Sequence, residues 1–238
     1  MILVLSGKSG AGKNAVMEKM LEEARGDILP LISMATRPMR EGEIDGKDYF
    51  FVSEEEFRTK EAEGKIIEKR EYQSADGSVW HYGTMEFNDI QGDFVKILDR
   101  EGAEKFKERY GDECFLVYLD VDDKTRRERA EKRGSFNEDE WEKREGREKE
   151  EFRDVPYNYR AENYDLETTV YNIMDALETY KEAVRKKEIH RKDRGVCDES
   201  RIIVYEETES GTGAVIFKST TKKNIEEEEK FINELSDR

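Results

Sequence analysis

Gly7-Lys8-Ser9-Gly10-Ala11-Gly12-Lys13-Asn14 is the stretch from which the rest of the chain is read. The apolar run Ile2-Leu3-Val4-Leu5 precedes it, and Val16, Met17, Met20, Leu21 and Ala24 follow at helical spacing. Strand, glycine-rich turn and helix, in that order, form the setting of a phosphate-binding loop. Glycines 7, 10 and 12 let the backbone turn tightly enough for its N–H groups to converge on an anion. The helix dipole adds to that field. Lys13 sets a mobile ammonium where the β- and γ-phosphates of a nucleotide would lie. A glycine-rich turn without a ligand is the competing reading, but such a turn does not require the whole G-x-x-x-x-G-K spacing. The next position usually carries Ser or Thr, whose hydroxyl ligates Mg²⁺; here it is Asn14, whose amide oxygen is a hard, neutral ligand that Mg²⁺ accepts directly or through water.

Only 35% of the 238 residues are hydrophobic and 42% are charged, yet the apolar ones cluster into periodic segments, so the chain folds. A net charge of −16 argues against general nucleic-acid or anionic-membrane binding. A nucleotide must then be captured by local basic groups, and these cluster at Arg37/Arg40 and again between Arg126 and Arg147. Cys114 and Cys197 make no disulfide framework and have no metal-ligand spacing, which fits free thiols in a reducing compartment. No signal-type apolar region or membrane span is legible, so the expectation is a soluble, cytoplasmic protein.

In chain order, a short strand over 28–33 leads into a Pro- and Gly-bearing loop, Thr36 to Glu43, and then a strand at 48–52. Ser53 with Glu56 reads as a capping box for a helix that Gly64 ends. Strands at 66–72 and 79–84, joined by a turn near Asp76-Gly77, complete a small mixed unit. The main sheet resumes at 94–99, followed by a helix near 103–109 and the apolar run 114–119, a strand buried on both faces. Residues 124–153 are highly charged, a composition that suits a solvated helical pair and a mobile lid equally. Asp165 caps a helix over 166–188. From His190 the composition shifts to a hairpin, 201–205 and 214–217 around Gly211-Thr212-Gly213, and an acidic helix from about Lys223. Alternating strands and helices over the first 190 residues indicate a parallel α/β sheet.

Arg37 and Arg40, three apart in a Pro-bearing loop, can reach one phosphate dianion with two guanidinium forks. Their alternative partners are Glu41, Glu43 and Asp45. Together with the phosphate loop, Ala35-Thr36-Arg37-Pro38-Met39-Arg40-Glu41-Gly42-Glu43 running on to Asp48-Tyr49-Phe50-Phe51-Val52, Glu68 and Tyr82-Gly83-Thr84 resemble the guanylate kinase family in order and spacing, over roughly residues 2 to 180. The resemblance implies a three-layer P-loop nucleoside-monophosphate-kinase fold: core 1–32, 89–123 and 154–189, an inserted mixed α+β GMP-binding unit 33–88, and a helical lid 124–153. Residues 190–238 form a hairpin-plus-helix appendage without a counterpart.

The resemblance also implies roles. Ser9, Gly10, Ala11, Gly12, Lys13, Asn14 and Asn163 bind ATP, with Asn14 toward Mg²⁺. Ser33, Arg37, Arg40, Glu43, Tyr49, Glu68, Tyr82, Thr84 and Asp99 bind GMP. Lys13 with lid residues Arg133 and Arg144 neutralises charge on the transferring phosphoryl group. Glu68 suits guanine because one carboxylate accepts from N1–H and N2–H side by side, a pair adenine lacks; Ser33 and Thr84 are expected to donate to O6. Four departures stand out: Asn14, a lysine where the lid's first glycine is usual, Ile97 where a second aspartate often stands two residues before Asp99, and Tyr164 in place of the second member of an Asn-Asp pair. His81 is expected to be structural, since transfer to a phosphate needs no base. The expected reaction moves the γ-phosphoryl of ATP to GMP, and to dGMP. The rivals are a sister enzyme with another acceptor and a non-catalytic protein-binding module. The appendage is expected to mediate self-association or to hold a protein partner.

Overall fold

β1 (Ile2–Ser6) is buried along its whole length. Its apolar side chains project in both pleat directions, so both faces must be covered. Leu3 and Leu5 pack with Val16 and Met20 of α1 (Lys13–Ala24) and with Val170, Ile173, Leu177 and Tyr180 of α6 (Leu166–Arg194). Ile2 and Val4 meet Phe106 and Tyr110 of α3 (Arg100–Tyr110) on the other side. β8 (Cys114–Asp120) repeats the alternation: Phe115, Val117 and Leu119 face α1 and α6, while Cys114 and Leu116 face α3. With β2 (Ile28–Pro30), β7 (Asp93–Ile97) and β9 (Tyr159–Glu162), these strands form a five-stranded parallel sheet in the order β2-β7-β1-β8-β9. Gly7 follows the C-terminal end of the central strand, where open α/β sheets bind their ligands.

A second sheet carries the inserted unit. Its order is β4 (Phe50–Phe51), β3 (Met34–Ala35), β6 (Val79–Met85), β5 (Ile66–Gln73). α2 (Glu54–Ala62) opens on Ser53, whose hydroxyl accepts from the Glu56 N–H at 3.1 Å, and buries Phe57 against His81. The charged stretch forms α4 (Asp123–Glu131) and α5 (Glu138–Glu151), and α5 buries none of its residues. The computed structural model describes residues 1–73, 77–86, 92–132, 136–153, 156–194, 202–206 and 214–218. Asp76, Arg133, the Gly211-Thr212-Gly213 turn and the helix expected from Lys223 lie outside them; β10 (Ile202–Glu206) and β11 (Ala214–Lys218) pair antiparallel.

Several element ends differ from expectation. β4 covers two residues rather than five, because Asp48 and Asp45 accept the N–H groups of Ile44 and Phe51, each at 2.8 Å, and hold the preceding segment as a loop. α3 starts three residues early because Asp99 caps it, taking the Gly102 N–H at 3.0 Å. α6 runs on to Arg194, so the composition shift at His190 falls inside a helix.

Candidate active site

The phosphate loop is held from below. Gly10 and Gly12 have φ of 82° and 93°, and a Cβ on Gly10 would lie 2.5 Å from the Arg126 carbonyl oxygen. The Lys13 ammonium lies on the carbonyls of Gly7 (2.6 Å) and Lys8 (3.0 Å) of its own loop. Asn14 is exposed in the first turn of α1. Asn163, expected near adenine, is buried beneath the loop instead, its amide donating to the Ala11 carbonyl at 2.7 Å. That carbonyl also takes an N–H of Arg129, which reaches the Asn163 carbonyl at 2.7 Å as well.

The lid closes on this loop through charge. Arg126 is fully buried; it donates to the Ser9 carbonyl (2.9 Å), Asp123 (2.7 Å) and both oxygens of Glu145 (2.9 and 2.7 Å), and lies over the Trp141 ring. Glu148 reaches further. The Ser9 N–H donates to both its oxygens at 3.0 Å and the Ser9 hydroxyl donates at 2.6 Å. A lid carboxylate thus sits on a donor of the anion-binding loop. Between loop and lid lies a cleft of about 340 Å³, lined by Lys13, Asn14, Phe136, Trp141 and Arg144 among others. Arg144 is exposed, lies 3.4 Å from Glu140 and lines this cleft; Arg133 is outside the described residues. No group of three or more His, Cys, Asp or Glu residues that could hold a metal is found among the described residues. The exposed Asn14 amide, next to Lys13, carries a hard, neutral oxygen of a kind that Mg²⁺ accepts.

The inserted unit gathers most of the expected acceptor residues. Glu68 and Thr84 are cross-strand partners on β5 and β6, just past a register shift after Ile66 that turns Glu68 inward. Thr84 donates to Glu68 at 2.6 Å and lies 3.2 Å from the Ser33 hydroxyl. Glu68 is only 7% exposed. Arg37, also buried, makes a two-pronged pair with Glu43 (2.6 and 2.5 Å), donates to the Tyr82 hydroxyl at 3.1 Å, and lies over the Tyr49 and Phe51 rings. Hydrogen bonds from Arg37, with a further one from the Arg40 N–H, pull Glu43 down to about 2, and the same pairing raises Arg37. Glu43 thus anchors Arg37, and the Arg40 guanidinium is exposed. Asp99 caps α3 and pairs with Arg70 of β5, so it joins core to insert. His81 is buried between Glu54 (2.9 Å), Arg58 (3.1 Å) and Glu71 (3.3 Å), a structural place.

Three features escape the sequence. Lys96, on β7 opposite Val4, is buried; its ammonium donates to the Leu31 carbonyl at 3.0 Å and to the Ser33 hydroxyl. Burial pushes it down to about 8, with the nearby Glu68 charge opposing. A lone lysine inside the apolar run Phe94-Val95-Lys96-Ile97-Leu98 was the available signal. Arg126, Glu145 and Glu148 are indistinguishable from their charged neighbours by composition. Phe136 and Trp141, 5.9 Å apart, give the donor cleft its aromatic wall. Cys114 is buried and its thiol is pushed up to about 12, which leaves it chemically inert.

The family model described as guanylate kinase matches residues 1–180. A guanylate kinase of Caldanaerobacter subterraneus subsp. tengcongensis is 36% identical over 201 residues, covering 82% of this chain and 95% of that protein. One from Latilactobacillus sakei is 32% identical over 185 residues, 75% of this chain and 89% of the relative. The crystal structure of guanylate kinase from Anaplasma phagocytophilum superposes with a TM-score of 0.50 at 29% identity, covering 75% of this chain and 85% of the other.

Proposed function

The chain belongs to the guanylate kinase family, and we propose that it transfers the γ-phosphoryl group of ATP to GMP, and to dGMP, giving ADP and GDP. The observation that carries the acceptor is Glu68: an almost buried carboxylate, held at 2.6 Å by Thr84 with Ser33 behind it, set to accept from two adjacent base donors. A site of buried polar groups rejects the wrong base because its own groups would go unpaired. Lys13 and an intact glycine loop support turnover over the protein-binding alternative. Glu68 with both hydroxyls supports guanine over another acceptor.

Arg40 meets the acceptor phosphate, while Arg37, braced by Glu43 and Tyr82, fixes the wall against which it sits. On the donor side, the Ser9 N–H and Lys13 hold the phosphates, which displace the Glu148 carboxylate from the same donor. Arg144 then covers the transferring group from the lid, adding positive charge and excluding water. The Asn14 amide would help hold a Mg²⁺ ion brought in with the nucleotide phosphates, which would supply further charge neutralisation. Aligning the two phosphates in one closed site accounts for rate without a general base. No helix among the described residues is long and apolar enough to cross a membrane. The hairpin β10–β11 remains our candidate for self-association or partner binding, because two strands alone are marginally stable.

Incubation with ATP, Mg²⁺ and GMP, followed by chromatographic separation, should yield ADP and GDP in equal amounts. Lys13→Ala should yield neither. ADP without GDP would overturn the proposal.

A further inference from the structure

We propose that Lys96 is a positioning residue that sets the direction of the hydrogen bonds in the base pocket and thereby helps exclude adenine. The inference rests on the guanine-site reading above. An ammonium is a donor only, and Lys96 donates to the Leu31 carbonyl and to the Ser33 oxygen. At the other end Glu68 is an acceptor and takes the Thr84 proton. Between these fixed ends lie two hydroxyls 3.2 Å apart. A hydroxyl can accept or donate, but here the ends decide. The Ser33 oxygen already accepts from Lys96, so its own proton points away, toward Thr84 or toward a ligand. The Thr84 oxygen is left to accept. Every proton in the array runs from Lys96 toward Glu68.

A ligand beside Ser33 therefore meets a proton, backed by a buried positive charge. The O6 of guanine, adjacent to the N1–H that Glu68 accepts, is an acceptor and satisfies it. Adenine presents an amino group at that position, whose hydrogens would face a hydroxyl oxygen already engaged by an ammonium. Without Lys96 the Ser33 hydroxyl is free to reverse and accept, and the distinction weakens. The lysine is held for this task at a cost in burial, since only 8% of it is exposed. Neither Leu31 nor Ser33 requires a cation for its own satisfaction, because a water or a neutral donor would serve both.

The test compares kcat/KM for GMP, IMP and AMP in wild type, Lys96→Met, Ser33→Ala and the double variant. IMP keeps O6 and N1–H and lacks the 2-amino group. Lys96→Met should lower GMP and IMP alike by about ten- to hundredfold, mostly through KM, and leave AMP unchanged. Because Lys96 acts through Ser33, the double variant should be no worse than the poorer single one. Proportional loss with AMP, or additive losses in the double variant, would overturn the inference. Should Lys96→Met not fold, Ser33→Ala decides, and an unchanged GMP-to-AMP ratio there overturns it. A guanine-selective wild type whose ratio survives Lys96→Met removes this inference alone. A wild type that turns over no guanine nucleotide removes it together with the proposed function.

Discussion

Two carboxylates in this molecule each receive a hydroxyl proton at 2.6 Å, Glu68 from Thr84 and Glu148 from Ser9, and their positions are opposite in kind. Glu68 sits on a strand, locked in register with its partner Thr84 and almost buried. Glu148 sits on α5, a helix with no buried residue, and covers a donor that a ligand's phosphate needs. On the proposed function, one carboxylate belongs to the recognition surface and the other is a stand-in that must yield. The difference shows how the two halves of the site are held. The base pocket is rigid because sheet pairing and burial fix it. The lid is held by ion pairs and one buried arginine, which can be exchanged for contacts to a triphosphate without exposing apolar surface.

Predictions follow in order of size. On the loop side, Lys13→Ala should lower kcat/KM by more than about a thousandfold at unchanged melting temperature, as steady-state rates and a thermal scan will show. Arg144→Ala should cost on the order of 10²–10³ in kcat, since it removes a charge that acts on the transferring group. In the pocket, Glu68→Gln should cut kcat/KM for GMP by about a hundredfold and narrow the GMP-to-AMP ratio, measured with both acceptors. Glu148→Gln breaks the symmetry: it should lower KM for ATP by about three- to tenfold, because a neutral amide competes less well for the Ser9 N–H. A rise in KM would mean that Glu148 supports the loop rather than occupying it.

The last prediction concerns stability rather than activity. Lys96 is held at about 8 against an ordinary 10.5, so the folded state gives up this proton first. Its contribution is fully present above 10.5 and is lost as pH falls through about 8. Wild type should therefore gain stability relative to Lys96→Met between pH 8 and 10, by up to about 1.4 kcal/mol per pH unit, in urea denaturation at stepped pH.

Legibility in the sequence divides along the same line. The parallel sheet and its loop were readable because they depend on period and glycine spacing. Glu68, Thr84 and Ser33, picked out by residue type and chain order, lie together in the structure. The lid was readable only as charge, since nothing in a run of Arg and Glu tells Arg126, fully buried, from Arg127, which is exposed. The resemblance alone suggested Asn163 and Glu43 as ligand groups, and their bonds to the Ala11 carbonyl and to Arg37 were not legible in the sequence. Tertiary partners, which decide such cases, leave no local trace.

The central claim is that this buried carboxylate makes a guanine nucleotide the phosphoryl acceptor. Initial rates of ADP formation from ATP and Mg²⁺ with GMP, dGMP, AMP, CMP and UMP in parallel test it most directly. Rapid turnover confined to GMP and dGMP is the predicted result; comparable rates with AMP, or no acceptor-dependent turnover by the folded protein, would contradict it.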